Sequence, residues 1–458
     1  MSSLRAHIAL VLSKMTYRLL RVLGRNASNA PGLVALKVCP DYLAQVARCP
    51  LCVCVTGTNG KTTVTNMIAD VLVANGYSVS TNRLGSNIAP GIAAALTNSV
   101  SWSGRPLKDA CVLEVDERAS RLILPFVKPT FLVVTNLFRD SLKRNAHPDY
   151  IFDVIDTYTP KQTTLILNAD DLCSARLGEH AGNERIFFGI TEVEGDVTQS
   201  VNLVADYSFC PHCLTTLQYD HLRYHHIGHA TCPSCGFSSP GPDYLVRRFT
   251  QDDQALIVEH GEATHAYPLV NEVIFNVYNE LAAIVALTRI GLTEAQIETG
   301  LSSLSVPDTR LKQTTVGSVR VVQAMSKGQS CVSCSRTLDY VRQEPGRKVV
   351  VLIMDDYYDR KNSVEFIGWI YDADYEFLND PDVVQVLACG PRCYDHQVRL
   401  LLAGVPKERI VCCEDELDAP HHVITDGVDA VYVLYDTSTV DVAMKVKAGI
   451  IHGLEVHQ

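Results

Sequence analysis

Val53-Cys54-Val55-Thr56-Gly57-Thr58-Asn59-Gly60-Lys61-Thr62-Thr63 is an apolar run that stops at a glycine-rich turn and passes into the helical spacing of Val64 to Asn75. The order is strand, loop, helix. Gly57 and Gly60 free backbone N–H groups, the following helix adds its positive end, and Lys61 supplies an ammonium. All of these converge on one small volume suited to a polyphosphate. Thr62 offers a hydroxyl to the Mg²⁺ that accompanies ATP or GTP. The general phosphate-loop pattern sets its first glycine at position 55, which here is Val55, and the first glycine of this loop is Gly57.

From Leu51 to about Ser305 strands alternate with helices, the pattern of a mostly parallel sheet covered on both faces. Strands are expected at Ala110 to Val115, Phe131 to Thr135 and Thr164 to Leu167, and each ends in polar residues. These are Glu114, Asp116 and Glu117, then Asn136, then Asn168, Asp170 and Asp171. Ligands of open parallel sheets sit beyond the carboxyl ends of the strands, so these groups are expected to face the loop. Glu114 is the natural second ligand for Mg²⁺ beside Thr62. Asp116 and Glu117 read equally well as solvated strand ends.

Cys210-Pro-His-Cys213 and Cys232-Pro-Ser-Cys235 are two Cys-x-x-Cys knuckles eighteen residues apart. Four thiolates so spaced fit tetrahedral Zn²⁺, with room for one hairpin between them, in an insertion over about 205–240. A site closed by four Cys leaves no place for substrate, so the metal is structural. Of His212, His221, His225, His226 and His229, which could compete as ligands, most read as surface residues of the hairpin.

Past a helix over Asn276 to Ile290, Ser305 to Arg310 looks like a hinge. Strands at Val349 to Ile353, Val383 to Ala388 and Ala430 to Leu434, with helices between, describe a smaller α/β domain over 306–458. Asp355, Asp356 and Asp359 follow the first of these strands. The expected organisation is an N-terminal segment over 1–50, a central domain over 51–305 and this C-terminal domain.

Residues 1–25 carry Arg5, Lys14, Arg18, Arg21 and Arg25 and no acid, interleaved with apolar residues. This is a basic amphipathic helix that either packs on the central domain or meets an anionic membrane surface. Asn26 to Gly32 reads as a linker. The 458 residues have a net charge of −11 and are 47% hydrophobic, which suits a soluble multidomain chain and argues against nucleic-acid binding. No signal peptide with a cleavage site opens the sequence, and a nucleotide loop implies the reducing cytosol. Many of the sixteen Cys, among them Cys52, Cys54, Cys111 and Cys389, lie in apolar runs and read as small core residues.

Thr56 to Thr63, Thr135-Asn136-Leu137-Phe138-Arg139-Asp140, Asn168-Ala169-Asp170-Asp171 and Asn276-Val277-Tyr278-Asn279 resemble the phosphate loop, central-domain signature and adenine-side segments of the Mur ligase superfamily. Arg310 falls where that family keeps an arginine at the hinge to its last domain. The basic opening helix, Asn82 to Asn87, the four-Cys ribbon and Trp369 to Glu376 resemble the MurT family within it. The resemblance implies a Mur-ligase-like α/β fold with a P-loop central domain. It also implies ATP and Mg²⁺ as cofactors, with Thr58, Asn59, Gly60, Lys61, Thr62, Thr63, Asn276, Asn279 and Arg310 at the nucleotide. Lys61, Glu114, Asn136 and Arg310 are the implied catalytic groups. The implied reaction phosphorylates the α-carboxyl of D-glutamate in the lipid II stem peptide. Ammonia from a GatD-like class I glutaminase then gives D-isoglutamine.

Departures from the pattern are Ser141 in place of a histidine and the absence of lysine between Asp171 and Cys210. Asp359-Arg360-Lys361-Asn362 stands where the MurT family carries an Asp-Gly-x-Asp stretch. Either Asp355, Asp356 or Asp359 supplies the carboxylate that serves the glutaminase, or the coupling is altered. The second reading is a nucleotide-binding Mur-like scaffold for such a partner. Cys331 and Cys334 have no second pair nearby and read as buried or loop thiols.

Overall fold

The computed structural model describes residues 3–83, 86–140, 147–250, 254–304, 311–326, 330–354 and 367–456, the side chains of 311 and 312 apart. These residues form two compact units. One comprises 1–138, 148–199 and 207–306, and the other 139–147, 200–206 and 307–458. Arg310, Ser141, Lys327, Asp355, Asp356, Asp359 and Asn362 lie outside the described residues.

The first unit opens with three helices, α1 (Leu4–Val22), α2 (Ala30–Val38) and α3 (Tyr42–Gln45). The expected linker is shorter than read, because Pro31 sits in the first turn of α2, where its fixed φ suits a helix start. The chain continues through β1 (Leu51–Thr56), α4 (Lys61–Ala74), β2 (Val79–Thr81), α5 (Ala89–Asn98), β3 (Ala110–Glu114) and α6 (Ser120–Val127). Next come β4 (Phe131–Val134), α7 (Pro148–Tyr158), β5 (Thr164–Asn168) and β6 (Arg185–Ile190). The hairpin β7 (Gln218–Tyr224) and β8 (Ile227–Thr231) leads to β9 (Tyr244–Thr250), β10 (Ala255–His260), β11 (Ala263–Pro268), α8 (Ile274–Ile290) and α9 (Glu294–Ser302).

Nine strands form one sheet in the order β11-β10-β9-β6-β5-β4-β1-β3-β2. From β2 to β9 every pairing is parallel, and β10 and β11 are added antiparallel. β1 lies between β3 and β4, so the chain departs to opposite sides of it. A crevice opens at such a switch point, and it is where the glycine loop leaves β1. The run is apolar without alternation because Val53, Cys54 and Val55 are wholly buried under helices on both faces.

One cysteine reading changes in detail and another is narrowed to one of its alternatives. Cys111 is not a free core thiol, because it is disulfide-bonded to Cys49, with the Cα atoms 5.9 Å apart. The pairing of β1 with β3 brings the two together, since Leu51 lies opposite Ala110. Cys331 and Cys334 begin a helix and are both buried.

The second unit holds β12 (Leu311–Val316), β13 (Val319–Met325), α10 (Cys331–Gln343), β14 (Lys348–Ile353), α11 (Gly368–Asp372), β15 (Val383–Cys389), α12 (Cys393–Leu402), β16 (Ile410–Cys413), β17 (Ala430–Tyr435) and α13 (Val440–Val456). Its six-stranded sheet runs β12-β13-β17-β14-β15-β16, parallel except between β12 and β13. The buried guanidinium of Arg399 ties down the Trp369 to Glu376 segment. It donates to the Ile370 and Ala373 carbonyls at 3.2 and 2.8 Å and to Glu376 at 2.6 Å.

Glu280, on α8, is fully buried, with one carboxyl oxygen accepting the Val270 N–H at 3.0 Å and the other unbonded among the described residues. Burial pushes its carboxyl up to about 8. The folded chain therefore keeps a proton that the unfolded chain releases near 4.5. This contribution is complete below that pH and is lost towards pH 8, at up to ~1.4 kcal/mol per pH unit. Glu280→Gln, which copies the neutral form, should gain thermal stability relative to the parent chain as pH rises from 5.5 to 8. Melting curves that shift in parallel would contradict this.

Candidate active site

Both loop glycines have left-handed backbones, with φ of 128° at Gly57 and 86° at Gly60. A Cβ on Gly57 would run into Thr135 Oγ1, and one on Gly60 into Asn279 Oδ1. Only glycine meets both demands. The peptide between them is clamped from the end of β4. Asn136 Oδ1 accepts the Asn59 N–H at 3.0 Å, and its Nδ2 donates to the Asn59 carbonyl at 3.1 Å. The Thr135 hydroxyl donates to the same carbonyl at 2.6 Å. The Thr58 N–H bonds the Asn136 carbonyl at 2.7 Å, and its hydroxyl accepts the Phe138 N–H at 2.9 Å. Asn136 thus commits both ends of its amide to the loop backbone.

The Lys61 side chain is nearly buried, and its Nζ pairs with Glu117 Oε1 at 3.1 Å while donating to the Gly57 and Thr58 carbonyls. Asp116 Oδ1 accepts the N–H groups of Arg118 and Ala119, both at 3.1 Å. Neither acid is a solvated strand end. The chain folds inward after β3, and a buried ammonium requires a counter-charge there.

The Thr62 hydroxyl donates to Glu114 Oε2 at 2.7 Å, and Asn87 donates to Oε1 at 3.1 Å. Asn82 holds the backbone of Glu114 at both its N–H and its carbonyl, at 2.9 and 2.8 Å. One hydroxyl and one carboxylate, open to solvent at the end of β3, form the sparse oxygen set that Mg²⁺ accepts beside phosphate and water. Thr63 is half-buried in the first turn of α4. On α8, Asn279 lies over Gly60 and donates weakly to Asn276 at 3.5 Å.

Asp170 and Asp171 do not face the loop as read from the sequence. Asp170 Oδ2 accepts from the Tyr278 hydroxyl at 2.5 Å, Arg223 Nη1 at 3.0 Å and the Ile190 N–H at 3.0 Å. Burial, then the charge of Asp170, push the Tyr278 phenol well above its usual value, which keeps it a donor. Asp171 accepts the Leu137 N–H at 2.7 Å and meets His226 Nε2 at 3.0 Å. Each buried carboxylate is thereby satisfied by a cation or an imidazole from the inserted hairpin, and that drew both inward.

The four knuckle sulfurs lie within 4.8 Å of one another, with Cys210 and Cys235 at 3.5 Å and Cys213 and Cys232 at 3.4 Å. A tetrahedron of Zn–S bonds of about 2.3 Å needs sulfurs ~3.8 Å apart, so the set fits such an ion. The hairpin between the knuckles is not a surface appendage. His225 and His226 are buried, and the His226 ring lies 4.6 Å from Phe138 and 5.0 Å from Tyr207. Arg223, buried, reaches Asp170, Asp196 and the Tyr278 hydroxyl. Sequence reasoning missed Arg223, whose only signal was its place in a charged cluster between the knuckles; it set Glu117 at the loop without its pairing to Lys61, and read His226 as a surface group.

Residues 55–229 match the family described as Mur ligase middle domain, and 329–439 that described as MurT ligase C-terminal. The chain is 31% identical over 412 residues to the lipid II isoglutaminyl synthase (glutamine-hydrolyzing) subunit MurT of Staphylococcus aureus (strain COL), covering 89% of this chain and 90% of that one. With the subunit of the same name from Streptococcus pneumoniae (strain ATCC BAA-255 / R6) it shares 28% over 414 residues, 89% of each. Its fold is similar to a pseudomurein peptide ligase type C from Methanothermus fervidus, with a TM-score of 0.70 at 17% identity over 90% of this chain and 81% of that one. It is also similar to the MurF ligase of Thermotoga maritima solved with ADP, with a TM-score of 0.57 at 15% identity over 93% and 85%. A loop whose first glycine is Gly57, an inserted four-Cys ribbon and a separate C-terminal α/β unit accord with that likeness, and the chain belongs to the MurT family of Mur ligases.

Proposed function

We propose that this chain is the ligase subunit of a lipid II isoglutaminyl synthase, turning the α-carboxyl of D-glutamate in the stem peptide into an amide. The observation that carries this is the buried Lys61 beside the pair that Thr62 makes with Glu114 from the end of β3, two charge-handling groups at one loop. A carboxylate repels nucleophiles. Its oxygen attacks the γ-phosphorus of ATP, ADP leaves, and the acyl phosphate acquires a good leaving group. Ammonia then adds to the carbonyl carbon, phosphate departs with the bonding electron pair, and a proton passes to solvent.

Lys61 neutralises the γ-phosphate as the two anions are brought together, and the loop N–H groups hold the β-phosphate. Mg²⁺ at Thr62 and Glu114 would draw charge from the phosphate oxygens. Asn136 keeps the loop in its phosphate-receiving form, and Asn276 and Asn279 stand on the adenine side. Zn²⁺ held by Cys210, Cys213, Cys232 and Cys235 would fix the hairpin whose His226 packs on Phe138 and meets Asp171. Arg310 at the inter-domain hinge, and one of Asp355, Asp356 and Asp359 facing a glutaminase that supplies ammonia, belong to the proposal on sequence grounds alone. So does the division at 1–50, 51–305 and 306–458.

The basic helix adds a membrane-surface role. Leu4, Ile8, Leu12, Met15, Leu19 and Val22 are exposed, between 39% and 86%, on the side of α1 away from the buried Ala6, Ala9, Leu10 and Ser13. Fully burying one such side chain is worth about 1.5–3 kcal/mol, against about 1 kcal/mol for each nearby Arg at an anionic surface. Apolar insertion therefore outweighs charge in this contact. No helix among the described residues is long and apolar enough to cross a membrane.

Lys61→Ala should abolish ADP release with lipid II and ammonium, and should also lower the melting temperature because Glu117 is left buried without its cation; turnover retained by the variant at a temperature where circular dichroism shows it folded would refute the mechanism. Chelation, or Cys232→Ser, should remove one zinc per chain by metal analysis, lower the melting temperature and weaken ATP binding. ATP affinity unaffected by loss of the metal would show that the ribbon does not brace the loop.

A further inference from the structure

Between the last turn of α1, helix α4, strand β2 and helix α5 lies a cavity of about 680 Å³. Its wall includes Tyr17, Arg21 and Arg25 from the end of α1 and the turn beyond, Asn82 and Arg83 after β2, and Asn98 at the end of α5. The volume is in the range of small-ligand pockets and far beyond what an isolated ion requires. Three arginines, Arg21, Arg25 and Arg83, contribute to the wall, the first two of them exposed. Arg83 is answered by Asp70 at 2.6 Å and Asn66 at 2.7 Å, both from α4, and Asp70 is the only acid among the described residues of the wall. Arg21 and Arg25 make no ion pair among the described residues, so the cavity holds an excess of two positive charges in a chain whose net charge is −11.

Two features say what kind of anion fits. Asn82 is shared with the catalytic centre, since the same side chain that lines the cavity holds the backbone of Glu114. A ligand seated here lies one residue layer from the carboxylate beside Thr62. Leu19, Val22 and Leu23 are exposed at the same end of α1 but on other sides of it, about one helix diameter of ~10 Å from Arg21, so an apolar tail that leaves the cavity and rounds the helix reaches an apolar surface.

We propose that this cavity binds the diphosphate of a lipid-linked substrate, with Arg21 and Arg25 as its counter-charges. The reading rests on the proposed function for the substrate's lipid linkage but not for the charge. Arginine suits a diphosphate because its planar fork spans two phosphate oxygens. The attachment fixes the distant end of the substrate, so that binding energy from a part that does not react positions the carboxylate. The same charge could receive the diphosphate of a nucleotide, with Tyr17 against the base, and the test separates the two sources.

Binding to the intact chain is to be measured by calorimetry with a non-hydrolysable ATP analogue saturating the phosphate loop, using farnesyl diphosphate, UDP and inorganic pyrophosphate as probes. Farnesyl diphosphate is expected to bind more tightly than UDP. The double variant Arg21→Ala/Arg25→Ala should weaken it about tenfold or more. Asn98→Trp, which fills the cavity without altering charge, should weaken it as well. In turnover the double variant should raise KM for lipid II about tenfold more than KM for the same muropeptide without its diphosphate. Absence of farnesyl diphosphate binding to the parent chain, tighter binding of UDP, or equal binding by both variants would overturn the proposal. Diphosphate binding that is lost in both variants, in a chain that amidates nothing, would remove the proposed function and leave the cavity assignment standing.

Discussion

Lys61 is a cation held inside protein, and the architecture around the loop answers to that. Breaking a buried ion pair by removing one partner costs about 3–5 kcal/mol, a large part of the stability of any domain. Glu117 is therefore as necessary to the loop as the lysine itself. The pair can exist because β1 and β3 are parallel neighbours, which sets the ends of both strands at one edge of the sheet. The loop leaves the first and the acids leave the second. Glu114 remains at the open edge beside Thr62, and the turn that follows carries Glu117 inward. Three residues separate a group that meets solvent from one that does not.

Around that pair the loop is braced at several points by uncharged groups. Asn136, Thr135 and Asn279 each occupy space or hydrogen bonds that a different loop conformation would forfeit. Such a loop approaches its ligand already shaped, so little ordering remains to be done when phosphate arrives. Asp171 extends the bracing to the ribbon by holding the Leu137 N–H on one side and His226 on the other.

What could be read from sequence follows from how local each signal is. The loop, β1 and α4 are encoded within about two dozen residues, and the knuckles within two tight turns, so pattern and chemistry sufficed. The strands were legible because parallel strands buried on both faces are continuous apolar runs. Glu114 was legible from strand-end logic. The same logic failed for Asp170 and Asp171, since a strand-end carboxylate can turn either way and only a distant partner decides. Those partners, Arg223 and His226, are fifty-three and fifty-five residues further along the chain. His226 read as a surface group because nothing local distinguishes a hairpin histidine in solvent from one against Phe138. The pairing of Cys49 with Cys111 across 62 positions was hidden for the same reason.

The ribbon's arginine bears on how such a chain can change over time. Insertions are usually regarded as cassettes, gained or lost at a loop without disturbing the host. This one cannot be excised, because Arg223 is the counter-charge that lets Asp170 and Asp196 sit inside the fold. A descendant without residues 205–240 would inherit two interior carboxylates and no cation to match them. It would have to replace those acids before it could shed the hairpin.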